Sequence, residues 1–376
     1  MNLLNKIWKK SLATLIGAAS LLTFSQAEST DCFDCCSFSV CDWDFTVGVD
    51  YLYWKACTSD LDYAVKINQN PFPIDGTTGD VEFDIKGICP DYESGYRVYF
   101  QGGSFCGNSM GIAGSYTQLN SKKKGSVTDS SASLLPTILH PYQEQYLSVT
   151  YPGVNLAYDS AEADWNSNYH EWTVGVTYTS NWKCNHRTGV YFGVAGMQFD
   201  EDFDALYEFR STVEFDNIST YSNSRSEFSG WGVKLGTQYE YNICRCLDLF
   251  AQVNGTILVG DGENKRVFGF NTDDSENPLP DDYVFHKEDC CRVVPGYHLG
   301  LGANYETCIC NVNLLFRVGY EFVGWFNLPY YRTYVEGMED FDSFTDPRFL
   351  NMALSSSSAT RDLSYHGLFA GVAISF

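Results

Sequence analysis

From Trp43 to Trp54 the chain reads WDFTVGVDYLYW, and its apolar residues fall at every second position. Trp43, Phe45, Val47, Val49, Tyr51 and Tyr53 share one face of an extended segment, while Asp44, Thr46, Gly48 and Asp50 take the other. Successive side chains on extended backbone point to opposite sides, so a period of two sustained this long specifies a β-strand. The pattern returns at Trp172 to Tyr178, Trp231 to Tyr241, Leu247 to Ile257, Tyr297 to Tyr305 and Val312 to Phe322. Weaker copies lie at Tyr96 to Gly102, Met110 to Tyr116 and Val190 to Gly196, and Leu368, Ala370, Val372, Ile374 and Phe376 share a face at the end of the chain. The fold class is therefore all-β.

Two architectures use such strands. A soluble sandwich turns the apolar face inward. A transmembrane barrel turns it outward into lipid, with Trp and Tyr near the interfaces and a polar inner face. Here aromatics recur at strand ends, the polar faces are rich in Gly, and Phe376 stands last, which together predict a transmembrane antiparallel β-barrel. Val49, Val174, Leu235, Leu299 and Phe316 are then expected to face hydrocarbon.

The connections alternate in length. Short links fall at Phe105 to Ser109, Ser180 to Arg187, Asn242 to Cys246 and Thr307 to Cys310. Long polar segments fall at Lys55 to Glu93, Asn120 to Asn166, Gln198 to Glu227, Leu258 to Cys291 and Val323 to Tyr365. Short periplasmic turns and long outer loops are the habit of bacterial barrels. The count is ten strands, rising to as many as sixteen if the long segments hide further hairpins, for example near Gln145 to Leu156 or Leu206 to Phe215.

The N-terminus carries Lys6, Lys9 and Lys10, an apolar run from Leu12 to Phe24, and Ser25-Gln26-Ala27, which reads as a cleavable secretory signal over residues 1–27. The run is shorter than the ~20 residues a membrane helix needs. A cysteine-rich periplasmic segment follows at 28–42 and the barrel at 43–376, so the expected localisation is the outer membrane. The formal net charge of -23 argues against a nucleic-acid partner, because phosphates require a basic footprint.

Fourteen cysteines in an exported chain read first as disulfide formers. Cys106, Cys184, Cys244, Cys246, Cys308 and Cys310 lie at the short turns, and Cys32, Cys35, Cys36 and Cys41 in the N-terminal segment, all expected in the periplasm. Cys57, Cys89, Cys290 and Cys291 fall on the loop side. A Cys-x-Cys pair on a tight turn is poorly placed to bridge with itself. Cross-links to other barrels or to cysteine-rich envelope proteins, bridges between neighbouring turns, and a metal cluster at Cys32 to Cys36 remain the alternatives.

The stretch Trp43-Asp44-Phe45 through Asp50-Tyr51-Leu52-Tyr53-Trp54-Lys55-Ala56, the Gly-rich strands, the terminal Phe376 and the many cysteines resemble the major outer membrane proteins of Legionella and of environmental Chlamydiae. That resemblance implies a porin, abundant and disulfide cross-linked, and carries over no catalytic residue.

His140, His170, His186, His286, His298 and His366 are scattered, without a His-Glu-x-x-His or Gly-x-Ser-x-Gly motif, so no enzyme and no cofactor is expected. Gly260-Asp261-Gly262, Asp273-Asp274 and Asp281-Asp282 lack the register of a calcium loop. The functional candidates are charges expected on the inner wall: Asp44, Asp50, Arg97, Glu171, Lys234, Asp248, Arg292, Arg317 and Glu321, with Glu240 and Glu306 adding acid. An acidic lining favours cations, so a mild cation preference is expected. The functional expectation is passive diffusion of small hydrophilic solutes or ions, with a structural role through disulfides. The alternative is an adhesin or barrel enzyme with a narrow or plugged lumen, since ten strands leave little channel.

Overall fold

The computed structural model describes residues 45–59, 61–67, 83–103, 110–129, 134–138, 158–183, 185–209, 218–244, 246–272, 282–309, 312–328, 330–335 and 355–375. The signal at 1–27, the segment at 28–42, Asp44, Cys106, Cys184, Cys310 and the hairpin considered at Gln145 to Leu156 lie outside them.

The strands begin with β1 (Phe45–Thr58), β2 (Asp62–Ile67), β3 (Phe83–Gly87), β4 (Tyr92–Gly102), β5 (Met110–Thr128) and β6 (Leu134–Pro136). Five long ones follow: β7 (Ser160–Lys183), β8 (His186–Phe209), β9 (Ile218–Cys244), β10 (Leu247–Thr272) and β11 (Tyr283–Ile309). The last are β12 (Val312–Trp325), β13 (Tyr330–Val335), β14 (Ser355–Thr360) and β15 (Leu363–Ser375).

Ten of them form one closed barrel in the order β1-β4-β5-β7-β8-β9-β10-β11-β12-β15, each antiparallel to its neighbours, with β15 returning to β1. Leu206 to Phe209 continue β8 rather than starting a new strand. The remaining strands stay out of the wall: β2 pairs with β3 and β6, and β13 with β14. Closure leaves no unpaired edge in the bilayer, which backbone polar groups require where no water can satisfy them.

The apolar faces point outward. Val49, Val174, Leu235, Leu299 and Phe316 are 45%, 52%, 58%, 39% and 45% exposed on the outer wall, whereas Asp50 beside Val49 is fully buried inside. Crossing a bilayer takes about 9–11 residues per tilted strand, yet β9 runs for 27 residues. The surplus lies at the end opposite the short turns, so the described residues of 120–166, 198–227 and 258–291 are largely strand where the polar composition suggests loops.

Along these strands the amphipathic sense reverses. On β8, Val190, Phe192 and Val194 face out, and beyond Gly196 the outward residues become Gln198, Asp200, Asp202 and Asp204. The apolar positions move to the inner face, where Met197, Phe199, Phe203, Ala205 and Tyr207 are buried. The ladder between β7 and β8 shows no register shift from Ser160 to Asn181, so the solvent outside has changed and the backbone has not. β7 and β9 reverse at the same level: Trp172 and Trp231 end the outer band, and Trp165 and Phe228 are buried inside beyond it. The lower half is a membrane barrel, and the tall end beyond it has the inward core of a water-soluble one. The β2-β3-β6 sheet joins that core through buried Tyr63, Ala64 and Leu134, with the Tyr207 hydroxyl donating to the Tyr63 carbonyl at 2.6 Å.

Candidate functional site: the charged layer across the lumen

Register brings inner-face residues of successive strands level. Asp50 is opposite Arg97, Arg97 opposite Thr117, and Thr117 opposite Glu171, which spans β1, β4, β5 and β7. On the other side Asp50 faces Gly371 of β15, and Gly371 faces Arg317 of β12. Glu321, two inward positions along β12 from Arg317, completes the layer.

Arg97 crosses the lumen. Its Nη1 and Nη2 donate to the two Glu321 oxygens at 3.2 and 3.1 Å, its Nε donates to Thr117 Oγ1 at 3.2 Å, and Nη1 lies 3.5 Å from Asp50. The second Glu321 oxygen is also 2.6 Å from His298 Nε2, and Gln252 Nε2 stands 3.2 Å from that nitrogen. Arg317 is 4.0 Å from Asp50 and within 5.1–5.7 Å of the rings of Tyr99, Phe250 and Phe369. Opposite, Lys234 Nζ donates to Glu171 at 2.7 Å, and the Tyr169 hydroxyl donates to the other Glu171 oxygen at 2.7 Å. The Arg97–Glu321 and Lys234–Glu171 pairs are each hydrogen-bonded as well as paired, which charges in a low-dielectric interior require.

Glycine makes room for the filling. A Cβ on Gly302 or Gly319 would stand 2.6 Å from the rings of Phe250 and Phe369 respectively, and closer still to a backbone oxygen of the neighbouring strand. Toward the tall end the layer is covered by Trp54, Tyr169, Tyr365 and Trp325, all buried, with Arg97 5.5 Å from the Trp54 ring. Higher still, Arg361 and Trp165 Nε1 donate to Glu201 at 2.9 and 2.7 Å. The wholly polar inner face expected from the alternation is therefore not found: Gln238, Glu240 and Asp248 line the short-turn end, but Tyr99 and Ala373 share that face at and below the layer. Above it the interior is packed with aromatic side chains.

Of the inner charges anticipated, Asp50, Arg97, Glu171, Lys234, Arg317 and Glu321 meet in this layer. Asp248 lies apart at the short-turn end, accepting from Asn242 Nδ2 at 2.7 Å. Arg292 sits nearer the tall end and donates to the Asn327 carbonyl. His298, Gln252, Tyr169, Tyr99 and Thr117 belong to the layer and were not among the candidates. Their signal is inner-face parity shared with a charged neighbour: His298 and Gln252 each have the strand phase of Lys234 and Glu321. Three acids balance three bases here, so the acidic lean of the whole chain does not extend to this level.

Among the disulfide candidates, Cys244 and Cys246 are free and exposed at the β9–β10 turn, and Cys308 lies near the end of β11. Cys57, Cys89, Cys290 and Cys291 are also free and exposed. Among the described residues no group of three or more His, Cys, Asp or Glu is placed to hold a metal ion.

A closed antiparallel barrel with an apolar outer band and aromatic rims is an outer-membrane barrel protein. Residues 40–376 match the family described as Legionella pneumophila major outer membrane protein precursor, and the chain belongs to that family. No curated protein matches it. Solved structures similar to it include the outer membrane protease OmpT from Escherichia coli, at 9% identity and a TM-score of 0.38 over 89% of this chain and 97% of that one. The CymD monoaromatic hydrocarbon channel is similar at 8% identity and 0.30, over 89% of this chain and 88% of that one. A Pseudomonas aeruginosa FadL homologue follows at 8% and 0.23, over 89% and 90%.

Proposed function

We propose that the protein is an outer-membrane channel of the porin class for small ions and small hydrophilic solutes, closed at the Arg97 layer in the conformation described. The observation that carries this reading is the gathering of Asp50, Arg97, Glu171, Lys234, Arg317 and Glu321 from five strands into one level of the lumen. Charged rings are how pores select what they pass, whereas a barrel serving only as an anchor is filled at less cost with apolar side chains. The balanced charge replaces the expected cation preference with weak selectivity. Purified protein in planar bilayers should give small, discrete, infrequent conductance steps, and Arg97→Ala with Glu321→Ala should lengthen the open periods. Silence of both proteins overturns the reading.

A second reading rests on the dry core of the tall end: a non-conducting barrel that displays an acidic surface for adhesion. It predicts that silence. In either case the leader at 1–27 is removed on export, and Cys244 and Cys246 are offered, exposed, to cysteines of other envelope proteins or of a second copy.

A further inference from the structure

Two adjacent cysteines in a regular strand point to opposite faces. Cys290 and Cys291 of β11 do not. Between the pairs Gly260–Arg292 and Gly262–Asp289 the register shifts, so Cys290 and Cys291 together stand opposite the single residue Asp261. This is a β-bulge. Cys291 takes a left-handed φ of 61°, uncommon for a residue other than glycine, and its N–H donates to Asp261 Oδ1 at 3.4 Å. The exposure pattern records the same slip: Glu288 is exposed, Asp289 half-buried, Cys290 and Cys291 both exposed, Arg292 half-buried and Val293 exposed. Both thiols therefore lie on the outer wall, one step beyond Val293, the last lipid-facing residue of β11 at the tall end.

We propose that Cys290 and Cys291 form a paired-thiol site for soft, thiophilic ions, with trivalent arsenicals as the best fit. Soft thiolate donors select soft acceptors. The bulge places both sulfurs on one face before any ligand arrives, so the second bond forms within one complex. With an arsenic(III) oxide the balance closes without an oxidant. Two S–H bonds break, two As–S bonds form, the oxygen leaves with both protons as water, and arsenic stays trivalent. The site does not depend on the channel reading, because neither cysteine faces the lumen.

The test uses the full chain, reduced and held in detergent micelles. Protein with and without phenylarsine oxide is alkylated with N-ethylmaleimide, and the peptide carrying Cys290 and Cys291 is read by mass spectrometry. The expected result is loss of alkylation at both sulfurs and its return with ethanedithiol. In Cys290→Ser, Cys291 should be alkylated as though no arsenical were present, and the reverse in Cys291→Ser. Alkylation of both wild-type thiols in the presence of the arsenical overturns the proposal. So does protection of Cys291 that survives in Cys290→Ser, since its partner would then be another cysteine. The wild-type arm stands alone should a variant fail to fold.

Discussion

Arg97 and Glu321 are joined by two hydrogen bonds, at 3.1 and 3.2 Å, across the inside of the barrel from β4 to β12, strands separated in the wall by β1 and β15. The pair is an internal brace. Glu321→Gln leaves the Arg97 charge with Asp50 as its nearest acid and should cost about 3–5 kcal/mol, the usual penalty for removing one partner of a buried pair. The replacement of both, Arg97→Met with Glu321→Met, should cost less than either single change. Urea unfolding in detergent, followed by tryptophan fluorescence, checks the order of the three midpoints.

Phe250 lies across Gly302 with no room for a side chain beneath it. Gly302→Val should destabilise the barrel by about 1–3 kcal/mol through overpacking. Phe250→Ala empties buried volume and is costly by itself, but Gly302→Val with Phe250→Ala should cost less than the sum of the two single changes. A double-mutant cycle on the same unfolding signal measures the coupling.

The lipid boundary on β9 falls between Glu227 and Trp231. Leu235→Arg, on the outer face in the middle of the band, should cost about 2–4 kcal/mol and lower the yield of inserted barrel. Asn223→Arg, on the same face of the same strand beyond the band, should insert as the wild type does. Equal insertion of the two would place the boundary elsewhere.

Asp204 stands on the outer face of β8 beyond the band, opposite Asp164. Burial first, then Asp202 and Asp164, raises its carboxyl above the ordinary value. A raised carboxyl pKa means that the folded state holds the proton more tightly than the unfolded one. The contribution of Asp204 to stability is therefore greatest at low pH and falls away as pH rises from the unfolded value, about 3.9, through the folded one. Asp204→Asn should flatten that fall. Denaturant midpoints between pH 3 and pH 7 read it directly, and a fall of equal size in the variant removes Asp204 as its source.

The transmembrane half was legible in the residues. Val47, Val49, Tyr51 and Tyr53 have lipid on one side and Gly48 and Asp50 on the other, and period two with a fixed apolar parity reads this at once. The tall end escaped the same reading because the parity changes there. Val190, Phe192 and Val194 are outward even positions, Phe199, Phe203 and Tyr207 are inward odd ones, and a search holding one parity sees 198–227 as polar loop. The layer was half legible. Charge on the inner face marked Asp50, Arg97, Glu171, Lys234, Arg317 and Glu321, but which of them meet depends on strand stagger, which spacing along the chain does not encode. Asp248 and Arg292 have the right face and the wrong height.

The reversal on β8 fixes how deep the molecule sits. Moving the barrel one step outward would leave Val194 wet, and one step inward would bury Gln198 and then Asp200 in hydrocarbon. The chain thus carries its own waterline, written as a change of phase between Val194 and Gln198.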